Sequence, residues 1–567
     1  MLYAMFSDVR DAVECVLNSV PATTYGLDIW TDVKRLAKVV AVNVAKGFPF
    51  WEDVITPKGE RHTVAWLKQV CAKGLERKNN RAVVSDSPTT MTSLRKAVVE
   101  LAQHTKSAVG CAFHWVDKAA GDVQGKGPKE AESFVIKALN PTAANSLTSL
   151  AKSIIKLFHR GVPNGLLTLE REKENRTRRT EKARLVTTLR LQGDTRATGI
   201  ATMLHSVALN RGVLRSVVAD EKWDDFYNHL TGDDKKHVQG VVESIRNSAI
   251  MQSIEDYANL LTIMQVFQRV VEKRQKTLSD LALDTFECIS RIQAFPPTAT
   301  VTEEAKQCLV SAVQYRFGLS GYSTSVALLL VLDPRGSFNA RNFELPSWFK
   351  DKYPYEMDAE NFLKLYISKL PTQVQEKIIM QYGDLMLGNC FDLNDPDDAR
   401  ALKAANDMPL AQWFQLNARA SCRELFIYVG AVLASIAITA DGCEHGNSAY
   451  KWVQAGRVSL SDENARMIVY IIINTRMLAL YKEAEGAERV VGGFRRCWGW
   501  PPAAAMAEEA YTELEAEPDT EVAALHANLV NNLAGLMPVD APTDAAGPAA
   551  RVGDKRPRTE EEPEEVE

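Results

Sequence analysis

The chain has no Cys-x-x-Cys pair, no G-x-x-x-x-G-K-[ST] or G-x-S-x-G motif, and no apolar run of the roughly 20 residues needed to span a bilayer. Its nine cysteines (15, 71, 111, 288, 308, 390, 422, 443 and 497) are scattered and odd in number. That is the usage of reduced, mostly buried thiols in an intracellular protein, not of a disulfide framework. The longest apolar runs, Val326 to Leu332 and Leu425 to Ala440, are too short to cross a membrane, and the second is expected to be a buried helix. The N-terminal stretch MLYAMFSDVRDAVECV carries Asp8, Arg10 and Asp11 where a signal peptide needs its apolar core, so it reads as an amphipathic helix.

Catalytic signatures are equally sparse. The loop GDVQGKGP (121 to 128) lacks the spacing and the Ser/Thr of a phosphate-binding loop. Cys111 with His114 and Cys443 with His445 are close Cys/His pairs, but neither has a second pair at zinc spacing, so they read as core or surface residues. Asp224/Asp225 and Asp397/Asp398 stand at helix starts, where capping accounts for them. No catalytic residue, metal or cofactor is expected from these motifs, and the chain reads as a non-enzyme.

What is present is an uneven charge. The 567 residues carry a formal net charge of -5, are 46% hydrophobic and 25% charged, and so belong to a globular protein with a large core, long enough for the two lobes that are expected. Residues 501–567 hold 16 acids against 4 basic residues, leaving 63 basic against 56 acidic in the rest. The body is basic and the tail acidic, with a composition expected to be largely disordered. Helical spacing recurs along residues 2–20, 31–46, 62–76, 92–116, 358–386 and 461–485, while regular alternation and Asn-Gly or Asp-Gly hairpin signals are lacking. The expected fold class is all-α. Its expected divisions are a first helical lobe in 1–160, a central region in 161–332, an aromatic loop in 333–356, a second lobe in 357–500 and the tail in 501–567.

A local excess of six positive charges lies between Glu170 and Arg215, which hold eleven Lys or Arg against five acids. Arginine dominates, and its planar, permanently charged fork pairs well with phosphate. Arg176, Arg178, Arg179, Lys182, Arg184, Arg190 and Arg196 are the candidate RNA contacts. Arg77, Lys78, Arg81, Arg95 and Lys96 are secondary, as are Arg495 and Arg496, which stand among Phe494, Trp498 and Trp500. A salt-bridged helix face is the competing structural reading, because Glu170, Glu172, Glu174 and Glu181 are interspersed.

The segment IIKLFHRG…ENRTRRTEKARLVTTLRLQGDTRATGIATM (154 to 203), with its Arg160-Gly161 step and Arg176-Thr177-Arg178-Arg179 cluster, resembles a region of orthomyxovirus nucleoproteins. The resemblance implies a two-lobed helical protein that coats single-stranded genomic RNA and forms homo-oligomers by inserting a loop into a neighbour. It also implies work beside a viral polymerase, in the virion and in the host nucleus and cytoplasm. In this chain Phe338, Phe343, Trp348 and Phe349 would anchor the exchanged loop, and Lys555, Arg556 and Arg558 would engage a nuclear import receptor. Competing readings are the nucleoprotein of a non-segmented negative-strand virus, a shell-forming capsid protein, and a cellular scaffold that binds acidic partners; no membrane association is expected.

Overall fold

The computed structural model describes residues 2–31, 37–46, 48–55, 63–86, 89–101, 107–143, 146–180, 185–192, 197–272, 276–335, 345–392, 394–454 and 460–491. These all belong to one compact unit, Met1–Glu517. The all-α expectation is overturned. Between helix α1 (Leu2–Ser19) and helix α5 (Ala112–Asp122) the chain builds a five-stranded mixed sheet, interleaved with helices α2 (Val64–Val70), α3 (Ala72–Leu75) and α4 (Thr89–Leu101). Strands β1 (Thr23–Thr31), β2 (Ala37–Ala45) and β3 (Phe48–Ile55) form an antiparallel meander. Strands β4 (Asn80–Ser85) and β5 (Ser107–Gly110) add in parallel on the other side of β1, giving the order β3-β2-β1-β4-β5.

The reason the strands escape a periodicity argument is their burial. In β2 every residue from Lys38 to Ala45 is buried, so both faces are apolar and the run AKVVAVNVA has no alternation to detect. Tyr25, Leu27, Val39, Ala41 and Val83 pack on one side against Leu67, Cys71, Met91 and Leu94 of the crossover helices. The opposite face is covered by segments from the far end of the described chain. Of the expected helix 31–46, β2 and the end of β1 occupy most; the β-branched valines at 39, 40, 42 and 44 favour the pleated, doubly buried environment.

From α5 to Leu433 the chain is helical and encloses the largest core, in which Trp115 packs edge-on against Phe267 and Phe317. This stretch includes α6 (Leu147–Phe158), α7 (Gly161–Thr180) and α8 (Gly199–Leu209). Gly161 has φ +31°, a value L side chains adopt rarely, and it lets α7 start at once after α6. The apolar run at 425–440 is not one helix. It is helical to Leu433 and then returns to the sheet, where Ala437 N–H donates to Thr24 Oγ1 (3.0 Å) and Ala112 N–H donates to the Ile438 carbonyl (3.0 Å).

Two helices then close the sheet's second face, Asp441–Gln454 and Asp462–Val491. Gly442 sits so close to β3 that a Cβ there would lie 2.2 Å from Pro49 Cβ. Asn474 pins the longer helix by accepting from Trp51 N–H and donating to the Trp51 carbonyl, both at 2.8 Å. Among the described residues no helix is long and apolar enough to cross a membrane.

The proposed exchange anchors divide. Phe349 is fully buried in its own chain, against Phe286 (ring centroids 5.0 Å) and Tyr353 (5.1 Å), and Trp348 packs edge-on to Phe286. Phe338 and Phe343 lie outside the described residues, as do Arg495, Arg496, Lys555, Arg556, Arg558 and the acidic tail.

Candidate metal centre

Leu27 opposite Ser85 is the last paired position between the parallel strands β1 and β4. The next residue of each strand is an aspartate. Asp28 and Asp86 therefore stand at the same level beyond the pairing, and Asp86 N–H donates to the Leu27 carbonyl (3.3 Å). β1 is also where the sheet reverses its direction of growth, with β2 and β3 on one side and β4 and β5 on the other. Open sheets take their ligands in the crevice outside the carboxyl ends of the strands at such a switch point, where connections leave in opposite directions.

The third member comes from α5. Cys111, which precedes this helix, donates its N–H to the Ser85 carbonyl (2.8 Å), so α5 starts beside the end of β4 and its first turn presents His114. The ligand atoms of Asp28, Asp86 and His114 all lie within 4.8 Å of one another. His114 Nδ1 is 4.0 Å from Asp86 Oδ1, and Lys118, one turn on, places Nζ 3.5 Å from that same oxygen. Burial opposes a charged His114 and is the largest influence on it. Cys111, hydrogen-bonded to the ring, and the carboxylates of Asp86 and Asp28 act the other way and prevail, pushing its pKa up to about 10.

Asp28 is only 5% exposed. Two carboxylates converging in so dry a corner repel each other unless a cation or proton stands between them. Two hard carboxylate donors suit Mg²⁺ or Mn²⁺, and the imidazole beside them favours Mn²⁺ of the two. Cys111, which would attract a softer ion, has its sulfur beside the N–H of Ala440 at 3.3 Å. The residues present thus fit a hard divalent cation.

The 441–454 helix reaches the same corner. Cys443 donates its thiol to the Val40 carbonyl (3.7 Å), and Val40 is the register partner of Asp28 across β1 and β2. The next residue along that helix is Glu444. Arg95 fixes the end of β4 from the other side, donating to the Ser85 carbonyl (3.1 Å), Ser85 Oγ (2.7 Å) and the Asp86 carbonyl (2.7 Å). Burial lowers the pKa of this guanidinium, with Asp86 opposing. Expected as an RNA contact, Arg95 is instead buried against the backbone of the site.

The other basic candidates scatter. Arg77 is held by both oxygens of Glu14 (2.8 and 3.0 Å), Arg81 donates to the Lys78 carbonyl (2.8 Å), Lys78 is exposed, and Lys96 lies on α4. Arg176, Arg178 and Arg179 share the C-terminal half of α7, where positive charge also complements the helix dipole. Arg178 pairs with Glu174 (2.7 Å) and Lys173 with Glu170, the i,i+4 and i,i+3 bridges of a helix face. Arg176 and Arg179 are exposed, and among the described residues neither joins an ion pair given by this geometry. Asn175 accepts from Val186 N–H (2.6 Å) and donates to the Val186 carbonyl (2.9 Å), which ties the start of the extended segment 185–192 to α7, while further on Arg190 N–H donates to Ser206 Oγ of α8 (3.0 Å). Lys182, Arg184 and Arg196 lie outside the described residues.

The aspartates were missed because each looks unremarkable alone. The available signal was an acid set inside or just after a β-branched or aromatic run, in YGLDIWT and in AVVSD, where burial is costly without a use. No family model matches this chain, and no curated protein matches it.

Proposed function

We propose that this chain is a metal-dependent phosphoryl-transfer enzyme acting on the phosphodiester backbone of nucleic acid. The observation that carries the reading is the convergence of Asp28, Asp86 and His114 at the sheet's switch point. A divalent cation bound there would supply Lewis acidity for the attacking and leaving oxygens of an in-line displacement at phosphorus. Asp28 and Asp86 would hold it, with their carboxylates fixed by β1 and the end of β4; His114, protonated before an ion arrives, would give up that proton to complete the donor set. Arg95 keeps the end of β4 in place through one hydrogen bond to the Asp86 carbonyl and two to Ser85. In the transfer, an oxygen of water or of a terminal hydroxyl bonds to phosphorus and gives up its proton to solvent, the bond from phosphorus to one sugar oxygen breaks, and that oxygen takes a proton from solvent. The substrate class follows from the exposed arginines of α7, which suit a polyanion read through its phosphates and not its sequence.

This reading departs from the expectation of a non-enzyme. A second reading keeps that expectation: a coat protein that binds single-stranded RNA through α7 and self-assembles, supported by the exposure of Arg176 and Arg179. Labelled single- and double-stranded DNA and RNA, incubated with the full chain and Mg²⁺ or Mn²⁺, separate the two. Cleavage or joining that needs the cation and disappears in Asp86→Asn supports the enzyme. Tight binding that leaves every strand intact under all these conditions favours the coat.

A further inference from the structure

Lys118 has no part in the account so far. It lies on α5 four residues after His114, so both side chains leave the same face of the helix. Its ammonium and the His114 ring face one oxygen, Asp86 Oδ1, at 3.5 and 4.0 Å. The Lys118 side chain is 35% exposed where that of Asp86 is 15% exposed, which puts the ammonium between the carboxylates and solvent. Asp122, a turn further along α5, also attracts Lys118, but its carboxylate is held by Arg316 through Nε (2.7 Å) and Nη2 (2.5 Å). Asp86 is therefore the carboxylate that Lys118 accompanies.

A part-exposed ion pair of this kind adds little to folding. Its consequence for ligands is larger in kind, because a divalent cation approaching Asp86 meets a positive charge already there. We propose that Lys118 is the resident counter-cation of the site, which a divalent ion must displace from Asp86 and which then turns to a phosphate oxygen of the incoming nucleic acid. The inference rests on the metal-dependent reading above. It makes metal and substrate binding cooperative, since the charge that opposes the first is released to favour the second.

The test is Mn²⁺ binding to the full chain, followed by electron paramagnetic resonance at low ionic strength, for the wild type, Lys118→Gln and Lys118→Arg. Lys118→Gln is expected to bind Mn²⁺ about two- to fivefold more tightly. The gain should shrink as salt is raised, and Lys118→Arg should stay close to the wild type. In the presence of Mn²⁺, Lys118→Gln should bind a short oligonucleotide more weakly than the wild type, with Lys118→Arg restoring affinity. A structural role alone would not tighten metal binding. If the wild type binds no Mn²⁺, the metal-dependent reading fails and takes this inference with it. If the wild type binds but Lys118→Gln binds equally or less well, or if oligonucleotide affinity is unchanged, the role given to Lys118 is wrong while the metal site stands.

Discussion

The corner where the β1–β4 pairing ends and the exposed face of α7 are built in opposite ways. On α7 the charge is contiguous in sequence, solvated, and partly satisfied by bridges such as Arg178 to Glu174. At the strand ends, single residues from positions 28, 86 and 114 converge in a place with little water, beside a helix that begins only at Asp441. The first would suit any polyanion, and the same residues would serve a solvated helix equally well. The second commits charge where it is costly, and Lys118 and His114 offset part of it. Chemistry is therefore assigned to the corner and grip to the helix.

The division can be broken experimentally. The largest effect is expected from Asp28→Asn or Asp86→Asn, which should reduce Mn²⁺ affinity and strand cleavage by at least about 100-fold. Nucleic-acid affinity measured with a chelator present should stay near that of the wild type. If both quantities fall together, grip and chemistry share residues and the division is false.

Next comes Gly442→Leu. The added side chain would meet Pro49 at once and push the 441–454 helix off β3, at a cost of about 1–3 kcal/mol in chemical denaturation. Because Cys443 lies against Val40, the partner of Asp28, cleavage should fall further than stability alone explains. Unaltered cleavage in a folded Gly442→Leu chain would mean that the helix is only a cover.

The smallest effect is assigned to the double change Arg176→Ala with Arg179→Ala. Binding should weaken evenly across sequences, and the slope of log affinity against log salt should flatten by about 2. Mn²⁺ affinity and cleavage at saturating substrate should not change. A loss of metal binding in this variant would merge the two regions.

Legibility in the sequence followed the same contrast. Helices α1 and α6 announce themselves, α1 through spacing and α6 also through the Ser146 cap, whose hydroxyl accepts from Ser149 N–H (3.2 Å). The sheet does not. β2 is buried on both faces, β4 is six residues inside the polar stretch ERKNNRAVVSDSPTT, and β1 contains Gly26 and Asp28. Gly26 is required there, since a Cβ would lie 2.7 Å from Val42 Cγ2. The same applies to Cys111 with His114 and to Cys443 with His445. Weighed as separate pairs they fit no zinc pattern, yet tertiary folding brings Cys111, His114 and Cys443 to one end of the sheet. Spacing along the chain carries no record of such a meeting, because it is set by β1–β4 pairing and by the return of the chain at Ile438.

The most direct test of the central claim is anomalous diffraction from crystals of the full chain soaked in Mn²⁺. The account predicts a peak within about 2.0–2.3 Å of carboxylate oxygens of both Asp28 and Asp86. A well-ordered site with no peak there, or Mn²⁺ bound only elsewhere on the molecule, would contradict it.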